Sequence, residues 1–318
     1  MGTDLFSDEN KSVPICRRDV LRGIAGGVAA AALPSSAFAL DVLTDDAVPG
    51  LRILSGVGGN VVVLSTRDGQ IVVDSGDAES SKVVISTLRT LGVPDGKVAV
   101  LVNTHWHRAQ TGANELLGSQ GTTIVAHEKT KQRLSAGWYV PAEDRYEPPL
   151  AAKGRPTKAF FDTGSLQVGE KRVEFGYLIE AHTDGDIYVR FPDVNIIAVG
   201  DVVSPERDPV LDWFGGGWLG GRVDALEKLL KLGDASTRYI PSYGPVIGRK
   251  DVQAERDLML AIFDRMVVNL RLGQTADDML KAGLLDGLPR KFEDPKKFLY
   301  DTHKGFWAHH NKLMNDIV

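Results

Sequence analysis

Cysteine is almost absent from this chain: its 318 residues include one, Cys16. A disulfide framework is thereby excluded, and with it a thiolate metal site outside the N-terminal segment. Histidine is scarce too, with seven residues in all. Basic residues do not outnumber acidic ones, and the formal net charge is −5. No basic block of nucleic-acid-binding size interrupts that balance, so a polyanionic partner is not expected. No internal repeat or low-complexity tract stands out beyond an Ala-rich start. What remains is ordinary globular composition, 43% hydrophobic and 25% charged, on a chain long enough for a large core.

The Ala-rich start is the first positive signal. "CRRDVLRGIAGGVAAAALPSSAFA", residues 16–39, has a basic region, a mildly apolar Ala/Gly stretch and a small-residue cleavage pattern at Ala37-Phe38-Ala39. Arg17-Arg18 followed by Val20-Leu21 resembles the twin-arginine export signal. The resemblance implies a signal peptide over residues 1–39, export machinery as a partner and a periplasmic or secreted product. The apolar stretch is too short and too weakly hydrophobic for a membrane span. Cys16 precedes that stretch, which argues against lipid attachment. Removing residues 1–39 takes away four basic and four acidic residues, so the charge stays at −5. A mature chain of residues 40–318 has no cysteine, and a metal site in it must draw on His, Asp, Glu and water.

Residues 51–75 read as strands, with "NVVVLST" and "QIVVDSG" split by the hairpin signal Arg67-Asp68-Gly69-Gln70. A helix is expected over 79–91, closed by Gly92. "KVAVLVNTH" reads as a buried strand, a short helix follows from Gly112 or Ala113, and "TTIVAHEKTKQRL" reads as strand into helix. Four prolines mark residues 136–156 as a loop or lid. "KAFFDTG", "SLQVGEKRVEFGYL", "DIYVRFP" and "NIIAVGDVV" restart a strand series. Helices at 222–232, across 249–283 and over 295–317 follow, with a strand at 238–241. Strands, helix and strand, twice over, predict two sheets packed face to face with helices outside.

The histidines sort by context. His105 and His107 follow a buried strand, and alternation puts them on one side of an extended chain. His182 sits in "IEAHTDGDIYV", a turn between strands, as a metal ligand or a satisfied turn residue. Asp201 ends the buried strand "NIIAVG", where its carboxylate either faces the same sheet edge or caps a turn. His127 opens a helix and reads as structural. His303, His309 and His310 lie on the C-terminal helix as a solvated or packing face.

Five segments in order resemble the metallo-β-lactamase-fold hydrolase superfamily: "IVVDSGD", "THWHRAQTGAN", "AHTDGD", "VGDVV" and "IPSYGPV". They span most of residues 45–247. The resemblance implies an αββα four-layer sandwich with the site along one edge. It assigns His105, His107 and His182 to one metal ion, and Asp201 to a position that can bridge two. The positions it gives to the second ion's own ligands hold Ala109, Gln110 and Tyr243. The first set is complete and the second is gone, so one zinc ion is expected.

The functional expectation is an exported zinc-dependent hydrolase in which activated water attacks the carbonyl of an ester, lactone, thioester or amide. Asp201 is a fourth ligand or the acid/base group, because Ala109 cannot serve as the family's aspartate does. Gln110 can hydrogen-bond substrate or water but cannot act as a base. Tyr243 either donates to a developing oxyanion or fills the lost histidine's space. "DWFGGGWLGG", residues 212–221, offers Trp213 and Trp218 as an apolar substrate wall or as packing in a tight loop. The second reading is a non-catalytic protein that reuses the edge cleft for a small ligand or a partner.

Overall fold

The structure, a computed structural model, describes residues 43–91, 96–140 and 144–309. The N-terminal segment and its boundary at residue 39 lie outside them, as does His310. Strands β1 (Leu43–Val48), β2 (Leu51–Ser55), β3 (Val61–Thr66), β4 (Gly69–Val73), β5 (Val98–Val102) and β6 (Thr123–His127) lie side by side in that order. A separate hairpin, β7 (Trp138–Val140) and β8 (Arg145–Glu147), follows; β9 (Lys158–Phe160) then completes a seven-stranded sheet beside β6. Pairing is antiparallel from β1 to β4 and parallel from β4 through β5 and β6 to β9.

The second sheet has six strands in chain order: β10 (Thr163–Val168), β11 (Lys171–Tyr177), β12 (Ile187–Phe191), β13 (Ile196–Gly200), β14 (Arg238–Pro241) and β15 (Ile247–Gly248). Only its β13–β14 pair is parallel. Helices α1 (Ser81–Thr90), α2 (Arg108–Thr111), α3 (Asn114–Ser119) and α4 (Glu128–Ser135) accompany the first sheet in sequence. Helices α5 (Leu219–Leu232), α6 (Arg249–Arg271), α7 (Ala276–Lys281) and α8 (Pro295–Ala308) come with the second. None of the described helices is long and apolar enough to cross a membrane.

Strand alternation builds the layers. On β3, Val62 and Leu64 face the opposing sheet, while Val61 and Val63 pack with Val84 and Leu88 of α1. On β13, Ile196 and Ala198 join the inter-sheet core, while Ile197 and Val199 pack with Leu226 and Leu229 of α5. Successive residues thus serve two different cores, which explains why these strands read as continuous apolar runs. Each fully buried Val, Leu or Ile contributes about 1.5–3 kcal/mol of burial. Three cores between four layers make the αββα sandwich that the sequence predicts.

Local departures from the sequence reading have local causes. The helix expected near Gly112 is two short ones, α2 and α3, meeting at Gly112-Ala113. A Cβ on Gly112 would stand 2.0 Å from the Asp77 carbonyl carbon, so the chain there lies flush against the loop after β4. Segment 136–156 is not bare loop but carries the β7–β8 hairpin. Helix α5 begins at Leu219, three residues earlier than expected.

The sheets are tied together at one edge, beyond the C-terminal ends of β4, β5, β13 and β14. Ile187 N donates to Thr104 O at 2.9 Å, and Asn60 N donates to Ser242 O at 2.6 Å. The loop after β13 is held from the helical side by a buried ion pair. Arg222, with no exposed surface, meets Glu255 at 2.7 Å and also donates to Asp201 O at 3.0 Å. Glu255 accepts in turn from Ser204 N at 2.9 Å. Removing one partner leaves the other charge buried and unmatched. Arg222→Met is expected to lower stability by about 3–5 kcal/mol in urea titrations. A loss below about 1 kcal/mol would show that this pair does not hold the loop.

Candidate metal centre

Five segments deliver the centre to this edge. β5 ends at Val102, and Asn103 locks onto Asn114 by two reciprocal amide bonds of 2.8 and 3.1 Å. That fastens both ends of "NTHWHRAQTGAN". Asp74, in the left-handed region with φ 59°, follows β4 and accepts from Thr104 N and Thr104 Oγ1, both at 2.7 Å. Extended backbone then alternates His105, Trp106 and His107. Trp106 turns the other way, donating to Asp184 Oδ1 at 3.0 Å beneath the Arg133 guanidinium. His182 comes from the turn between β11 and β12, and Asp201 follows β13.

The donor atoms converge. One ligand atom from each of His105, His107, His182 and Asp201 lies within 4.8 Å of all the others, and the group could hold a metal ion. His182 Nε2 is 3.0 Å from His107 Nδ1 and 3.5 Å from Asp201 Oδ2. His105 Nε2 is 3.6 Å from the same oxygen and, though buried, has no hydrogen-bond partner. Tetrahedral donors about 2 Å from a zinc ion lie roughly 3.3 Å apart. These separations fit that spacing.

The outward ring nitrogens decide which inward ones carry lone pairs. His182 Nδ1 faces the Val210 carbonyl at 2.8 Å, and a carbonyl only accepts. His107 Nε2 faces Asp212 Oδ2 at 2.9 Å. Both rings therefore carry an outward hydrogen; His182 presents an inward lone pair, and His107 does so when its ring is neutral. His105 Nδ1 is 3.0 Å from Thr104 Oγ1. With Asp74 ionised, that hydroxyl donates to Asp74 and accepts from His105, completing a third inward lone pair. Burial pushes the Asp74 carboxyl up to about 8, against its Thr104 bonds. A cation at the histidine cluster favours the ionised form.

Charge states agree with a ligand role. Burial, reinforced by His182 and His107, holds His105 well below the usual imidazole range. Burial takes His182 down to about 4. His107 is also pulled down by burial, but the hydrogen bond and charge of Asp212 lift it above its ordinary value. Without a metal ion, the raised His107 favours a ring protonated at both nitrogens, whose Nδ1 donates to His182 Nε2 at 3.0 Å; a metal ion would take the place of that proton.

Asp212 is a site residue that the sequence reading passed over. It lies in the glycine-rich loop, laid on the His182 turn by bonds from Asp212 N to His182 O (3.0 Å) and from Asp184 N to Gly215 O (2.8 Å). A Cβ on Gly217 would stand 2.0 Å from His182 O, so that close approach requires glycine. Arg207 was missed as well. Its Nη2 donates to Asp201 Oδ1 at 2.8 Å, and its guanidinium carbon lies 3.3 Å from the Tyr243 ring centroid. Nothing in "VVSPERDPV" marks it. The rule that ligating histidines take an outer carboxylate calls for a residue like Asp212, but Asp184, Asp186 and Asp208 stand in the same run of loops and the sequence does not choose among them.

Tyr243 is half-buried under Arg207, and its hydroxyl accepts from Gln110 Nε2 at 3.4 Å. Gln110 is fully buried and reaches the Tyr243 hydroxyl. Trp213 lines a cavity of about 540 Å³ beside His107, with Trp138, Phe214 and Tyr300. Trp218 does not. It is buried in the helical layer, stacked on His309 at 4.9 Å and packed near Phe306. A cavity of about 500 Å³ behind residues 205–208 shares only Arg207 with the centre. Asp184 and Asp186, the other carboxylates of the His182 turn, are engaged elsewhere. Asp184 holds Trp106 and Arg133, while Asp186 accepts from His182 N, Thr183 N and the Thr183 hydroxyl. Glu115 is exposed on α3. His127 caps α4 and stacks on Tyr177.

Loss of an outer carboxylate on a ligating histidine typically costs 10–100-fold in metal affinity. Asp212→Ala is expected to weaken zinc binding by about that factor in competition with a chromophoric chelator. Unchanged affinity would mean that His107 needs no orienting partner.

The sequence profile of the Metallo-beta-lactamase superfamily matches residues 54–256. Among solved structures, a metallo-beta-lactamase from Pontibacter korlensis is 22% identical with a TM-score of 0.57, covering 69% of this chain and 99% of its own. The metallo-beta-lactamase FIM-1 from Pseudomonas aeruginosa, in its mono-zinc form, is 19% identical with a TM-score of 0.54, covering 69% and 95%. DIM-1 metallo-beta-lactamase exposed to ceftazidime is 17% identical with a TM-score of 0.55, covering 69% and 96%. Those likenesses are of fold. The profile spans more than half the chain, and the chain belongs to the metallo-beta-lactamase superfamily.

Proposed function

We propose that this protein is an exported hydrolase that uses one zinc ion to cleave a carbonyl compound: an ester, lactone, thioester or amide. The observation that carries the proposal is the set of inward-facing donors on His105, His107, His182 and Asp201, each histidine held from outside. Zinc bound there supplies a Lewis acid and a water made acidic enough to act near neutral pH. Among known folds this one is shared by enzymes of many substrates, so the substrate argument rests on the cavity.

His105, His107 and His182 hold the ion, and Asp201 Oδ2 serves as fourth ligand or takes the proton from the attacking water. Tyr243 keeps its proton, because burial and then the Asp201 charge raise its hydroxyl above the ordinary value. It can therefore donate to the oxygen of the carbonyl as charge develops there. Gln110 positions that hydroxyl from the buried side.

The cavity's charges are matched internally. Arg108 and Arg145 meet Glu147, Lys297 meets Asp301, and Asp212 meets His107. Trp138, Trp213, Phe214 and Tyr300 supply its apolar walls. A neutral, apolar acyl or leaving group suits such a space better than an anionic one.

Metal content of the purified mature chain is the first test. About one zinc per chain, lost in His107→Ala, is the expected result. No uptake on zinc titration would sink the hydrolase and favour the non-catalytic alternative. Trp213→Ala is expected to raise KM for a neutral aryl ester roughly 5–10-fold, about 1 kcal/mol, with kcat little changed. Equal KM values would remove Trp213 from the substrate wall. Export is tested by Arg17→Lys with Arg18→Lys, which should retain the precursor in the cytoplasm; normal delivery of that variant would exclude the twin-arginine route.

A further inference from the structure

Asp201 has two carboxylate oxygens, and they face different cations. Oδ2 lies 3.6 Å from His105 Nε2 and 3.5 Å from His182 Nε2, on the side of the proposed ion. Oδ1 accepts from Arg207 Nη2 at 2.8 Å. The face of the guanidinium lies over Tyr243, whose ring centroid is 3.3 Å from Arg207 Cζ. Gln110 in turn donates to the Tyr243 hydroxyl. Two of the three positions where the family resemblance would put the second ion's own ligands are thus linked to this guanidinium, Tyr243 directly and Gln110 through the Tyr243 hydroxyl.

The placement is built rather than incidental. Arg290 donates to the backbone carbonyls of both Ser204 and Arg207, the first at 2.7 Å. Ser204 N is held by Glu255, which is itself held by the fully buried Arg222. The backbone that carries Arg207 is therefore fixed at both ends of the turn. The Arg207 side chain remains about one-third exposed (34%), so its guanidinium stands at the open mouth of the centre and not in the core.

We infer that Arg207 is the second cation of this centre: its guanidinium neutralises the outer oxygen of Asp201 and keeps a second metal ion out. The inference rests on the one-ion reading above. Loss of three ligands would by itself leave Asp201 Oδ1 facing an empty, negatively polarised place. A permanently charged, planar fork fills that place without depending on metal supply. A divalent ion entering beside it would meet like charge at short range and find the shared carboxylate already taken.

The test restores ligands while keeping the Tyr243 stack. Zinc per chain is measured by elemental mass spectrometry, after equilibration with excess zinc and desalting, for the parent chain, A109D/Q110H and A109D/Q110H/R207A. The expected values are one, one and two. Two ions in A109D/Q110H with Arg207 in place would overturn the inference, and so would one ion in A109D/Q110H/R207A. Zero in the parent would instead overturn the metal reading itself, and the inference with it. Circular dichroism checks that each variant is folded. Should the combined variants fail to fold, A109D/R207E replaces them, which leaves the buried Gln110 in place and offers three carboxylates with Asp201. It puts a carboxylate where the guanidinium stands and is expected to bind a second zinc; a value of one would overturn the inference.

Discussion

Three imidazoles aimed at one point are held there from outside, two of them by groups that only accept hydrogen bonds and the third by a hydroxyl. The Val210 carbonyl and the Asp212 carboxylate force the hydrogens of His182 and His107 outward, and Thr104 does so for His105 through Asp74. Where the rings are neutral their inward lone pairs face one another, and either a proton on His107 or a metal ion relieves the repulsion. Everything else at this edge serves to impose it. The two sheets must meet there, because His105 and His107 come from one and His182 and Asp201 from the other. The glycine-rich loop must lie flat on the His182 turn, because it brings Asp212.

The helical side of the second sheet takes part in that imposition. Arg222 and Glu255 sit under the loop after β13 and reach the backbone of Asp201 and Ser204. A buried ion pair of this kind is weak evidence for net stability, since two charges have been taken out of water. Here it specifies one path for residues 201–207, and that path sets where Asp201 and Arg207 point. Stability and site geometry are thus carried by the same bonds.

Most of the sandwich was legible because its strands serve a core on each face, and continuous β-branched runs betray that. The histidine ligands were legible by scarcity: with cysteine gone, few residues could bind a metal. Asp212 and Arg207 were not, because their roles arise from contacts across 105 and 6 residues that no local pattern encodes. Trp218 misled for a different reason. An aromatic in a glycine run looks the same whether it faces a cavity or a core, and the choice was made by α5 starting early and turning the ring toward α8. Tertiary packing overrode the low helix propensity of the glycines there.

The cavity beside His107 draws one wall, with Lys297, Tyr300 and Asp301, from α8, whereas the superfamily profile ends at residue 256. The part of the wall carried by α8 is therefore written apart from the stretch that carries the candidate metal donors. Selection can act on them independently. Drift in α8 can retune which molecules enter while the histidine cluster stays untouched, and a lineage of such proteins could diversify in substrate without passing through inactive intermediates.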